Sequence, residues 1–185
     1  MKLIIVDLDG TLFDTKEVNY YAYKEAIEPY GYQLDYEYYC DFCNGRHYLD
    51  FLPQITTTEE SILTKIHKDK KKAYKKYLDK AVLNKGLVDI LYAMKRNGCK
   101  IAMVTTASKQ NCYDILYQFE IFELFDLVLT HDDVTNAKPD PEGFFSAMEL
   151  LQINPEDTII FEDSEVGIEA ATKTKAFLFV VKGFN

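Results

Sequence analysis

Apolar, β-branched runs in this chain repeatedly give way to polar side chains of a restricted kind. Asp7 and Asp9 follow Leu3-Ile4-Ile5-Val6, and Gly10 comes next. Thr105 and Thr106 follow Lys100–Val104, Lys138-Pro139 comes after Phe125–Leu129, and Glu162-Asp163 follows Thr158–Phe161. In a parallel α/β sheet the carboxyl ends of the strands open into the crevice where ligands bind, so residues placed there are exposed to chemistry. Residues two apart on an extended chain point the same way, which lets Asp7 and Asp9 address one reacting centre. Together these positions offer a candidate nucleophile, hydroxyls, a fixed cation and further acids along one sheet edge. That is an inventory for handling phosphate with a metal. Each position also has a plainer reading. Asp7 and Asp9 can be turn formers beside Gly10, Thr105 a strand terminator, Lys138 a surface lysine, and Glu162-Asp163 a helix-capping pair. Their recurrence at successive strand ends favours a shared site.

The elements that must carry these residues can be read from periodicity. Leu3–Val6 is a buried strand that empties into a turn. Beyond Thr11 the spacing becomes helical: Asp14-Thr15 offers caps, and Val18, Tyr21, Ala22 and Ile27 follow. The pattern stays helical to about Asn84, with breaks predicted at Glu28–Tyr32, at Asn44-Gly45 and around Pro53. From Gly86 strands and helices alternate. A helix with Leu87, Ile90, Leu91 and Met94 inward ends at Asn97-Gly98, and Ser108 starts one carrying Cys112, Ile115, Leu116 and Phe119. Asp140-Pro141 opens a helix with Phe144, Phe145, Met148 and Leu151 inward. Ser164 starts another, and Phe177–Val181 is a fifth strand. Such alternation predicts an α/β fold, a Rossmann-like parallel sheet with right-handed crossovers and an α-helical insertion. The predicted division is 1–14 core, 15–84 helical insertion and 85–185 core.

Nine tyrosines fall between Tyr20 and Tyr48, and most are expected to fill the core of the helical segment. Eight lysines from Lys65 to Lys80 surround Ile62, Ile66, Ala73, Tyr77 and Ala81, which predicts an amphipathic helix with a solvated basic face. With 185 residues, 48% of them hydrophobic, the chain has enough apolar material for one folded core plus an insertion. A net charge of −9 argues against general nucleic-acid binding, which rests on clustered cations. No apolar run approaches the roughly 18 residues of a membrane span, and Leu3–Val6 runs straight into acids, so a cytoplasmic protein with no membrane partner is expected. Cys40 and Cys43 have the spacing of a zinc or redox pair, but no second pair accompanies them and the chain has three histidines. They are expected to be ordinary thiols.

The set Asp7-Leu8-Asp9-Gly10-Thr11, Val104-Thr105-Thr106, Lys138-Pro139 and Glu162-Asp163-Ser164 with Gly167 resembles the haloacid dehalogenase superfamily of phosphohydrolases. The motifs stand in that family's order across the whole chain, and the helical insertion falls where the family carries its C1-type cap. The resemblance implies a phosphatase for a small phosphorylated metabolite. Asp7 would attack phosphorus and form an aspartyl-phosphate; Asp9 would protonate the leaving alcohol and then deprotonate the hydrolytic water. It also implies Mg²⁺, held by the Asp7 carboxylate, the Asp9 backbone carbonyl and Asp163, with Glu162 direct or through water. Thr105 would hydrogen-bond a phosphoryl oxygen, helped by amides near Thr106 and Ala107, while Lys138 would pair with both Asp7 and the phosphoryl group.

An acid at position 9 separates this chain from the dehalogenating and phosphonate-cleaving relatives, whose leaving groups need no proton. A phosphomutase of the β-phosphoglucomutase type shares that acid but carries a histidine soon after the counterpart of Asp14-Thr15. Here the stretch reads Lys16-Glu17-Val18-Asn19-Tyr20. Hydrolysis is therefore preferred, with the mutase and a non-catalytic phosphate-ligand-binding protein as alternatives. Asn44-Gly45-Arg46-His47 is similar to the turn that family caps direct at their substrates, which makes Arg46, with His47, candidate substrate contacts. A surface turn is the equal alternative.

Overall fold

The computed structural model describes residues 1–184. In chain order the elements are β1 (Leu3–Val6), β2 (Phe13–Asp14), α1 (Lys16–Ile27), α2 (Tyr36–Phe42), α3 (Tyr48–Ile55) and α4 (Glu60–Ala73). There follow β3 (Val82–Leu83), α5 (Lys85–Arg96), β4 (Lys100–Val104), α6 (Lys109–Gln118), β5 (Leu127–Leu129) and α7 (Glu142–Leu151). The last are β6 (Thr158–Glu162), α8 (Glu165–Thr174) and β7 (Phe177–Val180). They form two compact units: Thr15–Ala81 is one, and Met1–Asp14 with the chain from Val82 onward is the other.

The sheet unit is built on β1. Its four residues are all fully or almost fully buried, as expected of a central strand covered on both faces. The order is β5-β4-β1-β6-β7, and every pairing is parallel. Leu3 and Ile5 join Ala102, Val104, Ile160 and side chains of α7 and α8, chiefly Phe144, Ala147, Met148, Ala170 and Ala171, in one core layer. By alternation Ile4 and Val6 face the opposite layer. Each such aliphatic side chain removed from water contributes about 1.5–3 kcal/mol. β1 is therefore held rigidly, and so is the turn that leaves it.

Several sequence expectations are corrected. β5 begins at Leu127, with Phe125 outside it, and β6 runs one residue further, through Glu162. Ile90 and Phe145, expected inward, are 50% and 43% exposed. Leu87 and Leu91 in α5 and Phe144 and Met148 in α7 are buried as expected, and Val88 and Ala147 complete the two stripes in place of Ile90 and Phe145. The antiparallel pairing of Phe13–Asp14 with Val82–Leu83 was not foreseen, because two-residue strands have no period to read. It places residues 82–84 with the sheet unit.

The helical unit has an aromatic core in which Tyr20, Tyr23, Tyr39 and Phe51 pack with Ile27, Leu34, Leu52, Leu63 and Ile66. Most of the tyrosines there are at least partly buried against it. Pro53 does not break the chain; it lies inside α3. It forfeits one helical hydrogen bond, and the neighbouring Phe51 and Leu52, both buried, hold the helix through it. The basic face of α4 is interrupted by Lys70, which is buried. Its Nζ donates to Asn19 Oδ1 at 2.5 Å and lies over the rings of Tyr23 and Tyr74. A lysine one turn beyond Ile66 points inward, and its charge is tolerated because oxygen and π faces receive it. Cys40 and Cys43 are free thiols, as are Cys99 and Cys112. Among the described residues no metal-ligand group includes a cysteine, and no helix is long and apolar enough to cross a membrane.

Candidate active site

Four segments that leave sheet strands converge in the sheet unit. β1 delivers Asp7, whose amide donates to Phe161 O at 3.1 Å and fixes where strand becomes turn. Gly10 turns the chain with φ +88°, a conformation L side chains rarely adopt. Asp9 stands half-buried in that turn, bridged to Phe13, near enough to add to the negative field at Asp7.

Lys138 joins the acids. Its Nζ donates to Asp7 Oδ1 at 2.5 Å, to Glu162 Oε1 at 2.5 Å and to Val104 O at 3.1 Å, and it lies 5.1 Å from the Phe144 ring centroid. All three side chains are buried, with at most 9% of any exposed. The reading of Lys138 as a surface lysine is thereby excluded. Burial works against its charge, but Asp7 and Glu162 outweigh it and hold the ammonium above the ordinary lysine pKa. Burial pushes the Asp7 carboxyl up; Lys138 opposes this, and Glu162 adds to it. Two buried carboxylates thus share one cation.

Glu162 divides its two oxygens between Lys138 and the start of α8. Oε1 holds Lys138, while Oε2 accepts from the amides of Asp163 and Ser164 at 2.8 and 2.9 Å and from Ser164 Oγ at 3.1 Å. Ser164 Oγ in turn caps α8 by accepting from Gly167 N. Asp163 projects beside the turn after β1, where Thr11 Oγ1 donates to its Oδ1 at 2.7 Å. Burial pushes this carboxyl up as well, Glu162 adding and Thr11 opposing.

Two glycines leave room for these acids. A Cβ on Gly10 would stand 2.1 Å from Asp163 Oδ2, and one on Gly167 would stand 1.9 Å from Glu162 Oε1. The sequence reading had Gly10, Thr11 and Gly167 within its motifs but gave none of them this role. Asp-Gly-Thr at a strand end was the available signal.

Asp7, Glu162 and Asp163 each bring a carboxylate oxygen within 4.8 Å of the others. Three hard oxygen donors against one ammonium leave an excess of buried negative charge, the donor set that suits Mg²⁺. The space that a Gly10 side chain would fill lies against Asp163 Oδ2. The residues therefore fit the ion.

Thr105 is buried at the end of β4, its amide donating to Leu129 O, and Thr106 is exposed beside it. The Ala107 amide, expected to face phosphate, donates to Thr105 Oγ1 at 3.0 Å. That bond occupies the hydroxyl as acceptor and leaves its hydrogen to be donated elsewhere. A small cavity here is lined by Thr105, Thr106, His131, Asn136, Lys138 and Phe144, among others. Arg46 belongs to the helical unit, in the exposed turn after α2, where its amide donates to Cys43 O.

The chain is similar to known proteins. The family model of haloacid dehalogenase-like hydrolases matches residues 4–181. A phosphorylated carbohydrates phosphatase of Thermotoga maritima is 31% identical over 176 residues, covering 92% of this chain and 80% of that protein. Pyrophosphatase PpaX of Bacillus cereus is 31% identical over 193 residues, covering 97% of this chain and 84% of that one. The crystal structure of CbbY from Rhodobacter sphaeroides in complex with phosphate superposes with a TM-score of 0.86 at 26% identity, covering 100% of this chain and 87% of that one. With its sheet, its strand-end acids and these relatives in agreement, the chain belongs to the haloacid dehalogenase-like hydrolase family, as a phosphohydrolase enzyme.

Proposed function

We propose that the protein is a Mg²⁺-dependent phosphatase that hydrolyses a small phosphomonoester in the cytoplasm through a phosphorylated Asp7. The observation that carries this reading is the contact of Lys138 with both Asp7 and Glu162 in a buried cluster beside Asp163. The Asp7 and Asp163 carboxylates and the Asp9 carbonyl would hold the ion, with Glu162, whose oxygens are engaged, reaching it through water. Bound there, Mg²⁺ supplies positive charge that lets an anionic phosphoryl group approach a carboxylate.

The chain's own groups do the rest. Lys138 fixes the Asp7 carboxylate through Oδ1, leaving Oδ2 to attack phosphorus, and offers its remaining charge to the phosphoryl oxygens. Thr105 donates its hydroxyl hydrogen to one of those oxygens. Asp9 gives a proton to the departing alkoxide. It then takes one from the water that attacks the acyl-phosphate, which restores Asp7 and releases phosphate. Arg46 is proposed as a contact for the rest of the substrate.

The test is phosphate release from a panel of sugar phosphates, phosphoglycolate and nucleoside monophosphates, with Mg²⁺ and with the metal chelated. Turnover should require the metal, and Asp7→Asn should abolish it while leaving the thermal transition in place. Substantial activity in Asp7→Asn would remove the nucleophile from the reading. Interconversion of sugar phosphates without net release would identify a mutase, and metal binding without turnover a binding protein. On the best substrate Arg46→Ala should raise KM or lower kcat/KM in a folded protein. Unchanged kinetics would withdraw the Arg46 assignment alone.

A further inference from the structure

Lys138 reaches the acids from a segment with little regular structure. Between β5 and α7 the chain makes one short 3₁₀ turn, His131–Asp133, and otherwise follows no repeating hydrogen-bond pattern. The start of the segment is tied down: Thr130 and Asp133 form a reciprocal capping box, His131 N donates to Ala107 O, and Lys109 N donates to Asp132 Oδ2. The stretch that leads into Lys138 is gathered by the Glu142 side chain, while just beyond it Lys173 Nζ donates to Pro139 O at 2.8 Å and Asp140 N to Ala137 O at 3.0 Å. Glu142 accepts from Thr135 N at 2.6 Å through Oε1, and from Asn136 N at 2.8 Å and Asn136 Nδ2 at 2.9 Å through Oε2. Its own amide donates to Asp140 Oδ1 at 2.9 Å, closing the loop on the far side of Lys138.

Glu142 is well placed to act as an anchor. It is the first residue of α7, where the helix dipole favours an acid. Two residues on, Phe144 is 1% exposed, and Ala147 and Met148 are buried with it. The carboxylate therefore belongs to a body fixed in the core, while the three N–H groups it gathers belong to the loop. Bonds to an ionised acceptor are the shorter and stronger kind. The last of them lies two residues before Lys138. An ammonium that must meet Asp7 and Glu162 at 2.5 Å each has little tolerance for displacement.

We propose that Glu142 is a positioning residue for Lys138: by gathering the Thr135 and Asn136 N–H groups onto the rigid start of α7 it fixes where the Lys138 ammonium is presented. This rests on the proposed function for its consequences in phosphate binding and turnover; its consequence for exchange at the Thr135 and Asn136 amides does not. The experiment compares Glu142→Ala and Glu142→Gln in the full chain, each with Lys138 intact and with Lys138→Ala. Three quantities are measured: affinity for inorganic phosphate in the presence of Mg²⁺, kcat/KM for the best substrate, and hydrogen exchange at the Thr135 and Asn136 amides.

With Lys138 intact, Glu142→Ala should weaken phosphate binding and lower kcat/KM by about 10- to 100-fold, the scale of a displacement near 1 Å at a reacting group. Exchange at both amides should rise. Glu142→Gln, which keeps one acceptor oxygen, should recover part of the loss. With Lys138→Ala, replacing Glu142 should cost nothing further, because the two residues act as one unit. An equal loss on both backgrounds would show a general structural effect and overturn the proposal, as would unchanged phosphate affinity in Glu142→Ala. Amide exchange needs neither phosphate binding nor turnover, so that result stands apart from the Asp7→Asn test.

Discussion

Adding a single methyl group at position 167 should disable the site while leaving the protein folded. A Cβ built on Gly167 falls 1.9 Å from Glu162 Oε1, 2.0 Å from its Cδ and 2.4 Å from Oε2, where ordinary contact begins at 3.4 Å. One of the two must retreat by about 1.5 Å, the difference between 3.4 and 1.9 Å. The tip of a glutamate would ordinarily swing away at little cost. This one is completely buried and held by Lys138, two amides and a hydroxyl, so it moves only by breaking those contacts.

The bond to Lys138 is among them, and a reacting group misplaced by 1 Å costs about 100-fold in rate. Gly167→Ala should therefore lower kcat/KM by about two orders of magnitude, equivalent to about 2.7 kcal/mol in the barrier. Stability should fall as well: overpacking contributes about 1–3 kcal/mol, the lost Glu162 contacts add about 1–3 kcal/mol, and alanine's better helix propensity within α8 offsets about 1 kcal/mol. The melting temperature should fall by about 2–20 °C, at 2–4 °C per kcal/mol for a chain of this size. Phosphate release kinetics beside a thermal scan measure both quantities. A folded Gly167→Ala protein with wild-type kcat/KM would refute the view that Glu162 must stand where it does.

Gly10→Ala should act on the metal instead, since its Cβ would lie 2.1 Å from Asp163 Oδ2 and position 10 has φ +88°. We expect the Mg²⁺ concentration for half-maximal activity to rise by about 10- to 100-fold, as for displaced supports of metal ligands; a metal titration reads it, and an unchanged midpoint would count against Asp163 as a ligand. A third expectation concerns acid stability. Burial works to raise the pKa of Asp126, but the Ile101 amide, Lys100 and Lys95 outweigh it and hold the carboxyl below the ordinary value. A group depressed in the folded state contributes stability that is complete above its unfolded pKa, about 3.9 for aspartate, and that drains away as pH falls through the folded value. Asp126→Asn should lower the melting temperature at pH 7 and flatten its decline below about pH 4. Parallel wild-type and variant curves would remove Asp126 from the acid transition.

Position in sequence revealed most of the sheet unit because its signals are local. A run of β-branched residues followed by Asp-x-Asp-Gly announces a buried strand and its exit without reference to the rest of the chain. The acids at 7, 9, 162 and 163 and Thr105 stood out as candidates because each stands at or just beyond such a run, whereas Lys138, nine residues past β5, stood out only through the family motif Lys138-Pro139. Features that depend on which neighbour arrives from elsewhere were not. Lys70 reads as one more cation on a basic helix, and only the arrival of Asn19 and two tyrosine rings accounts for its burial. Pro53 reads as a break, and the burial of Phe51 and Leu52 overrides it. Glu142 follows Asp140-Pro141 at a helix start, and no motif singles it out. Its importance lies in amides six and seven residues back, which the loop folds onto it.

By itself, then, the order of residues determined which chemistry was possible: strand-end carboxylates, a hydroxyl and a lysine in the sequence of one hydrolase family. The tertiary structure decided how those groups divide the work. Glu162 turns one oxygen to Lys138 and the other to the loop at α8, Asp163 is steadied by Thr11, and the Ala107 amide is spent on Thr105. Residue types and spacing restrict what a side chain is able to do. Which lone pair and which hydrogen remain for a substrate depends on contacts between segments that are distant in the chain, and those exist only once the sheet has brought its strand ends together.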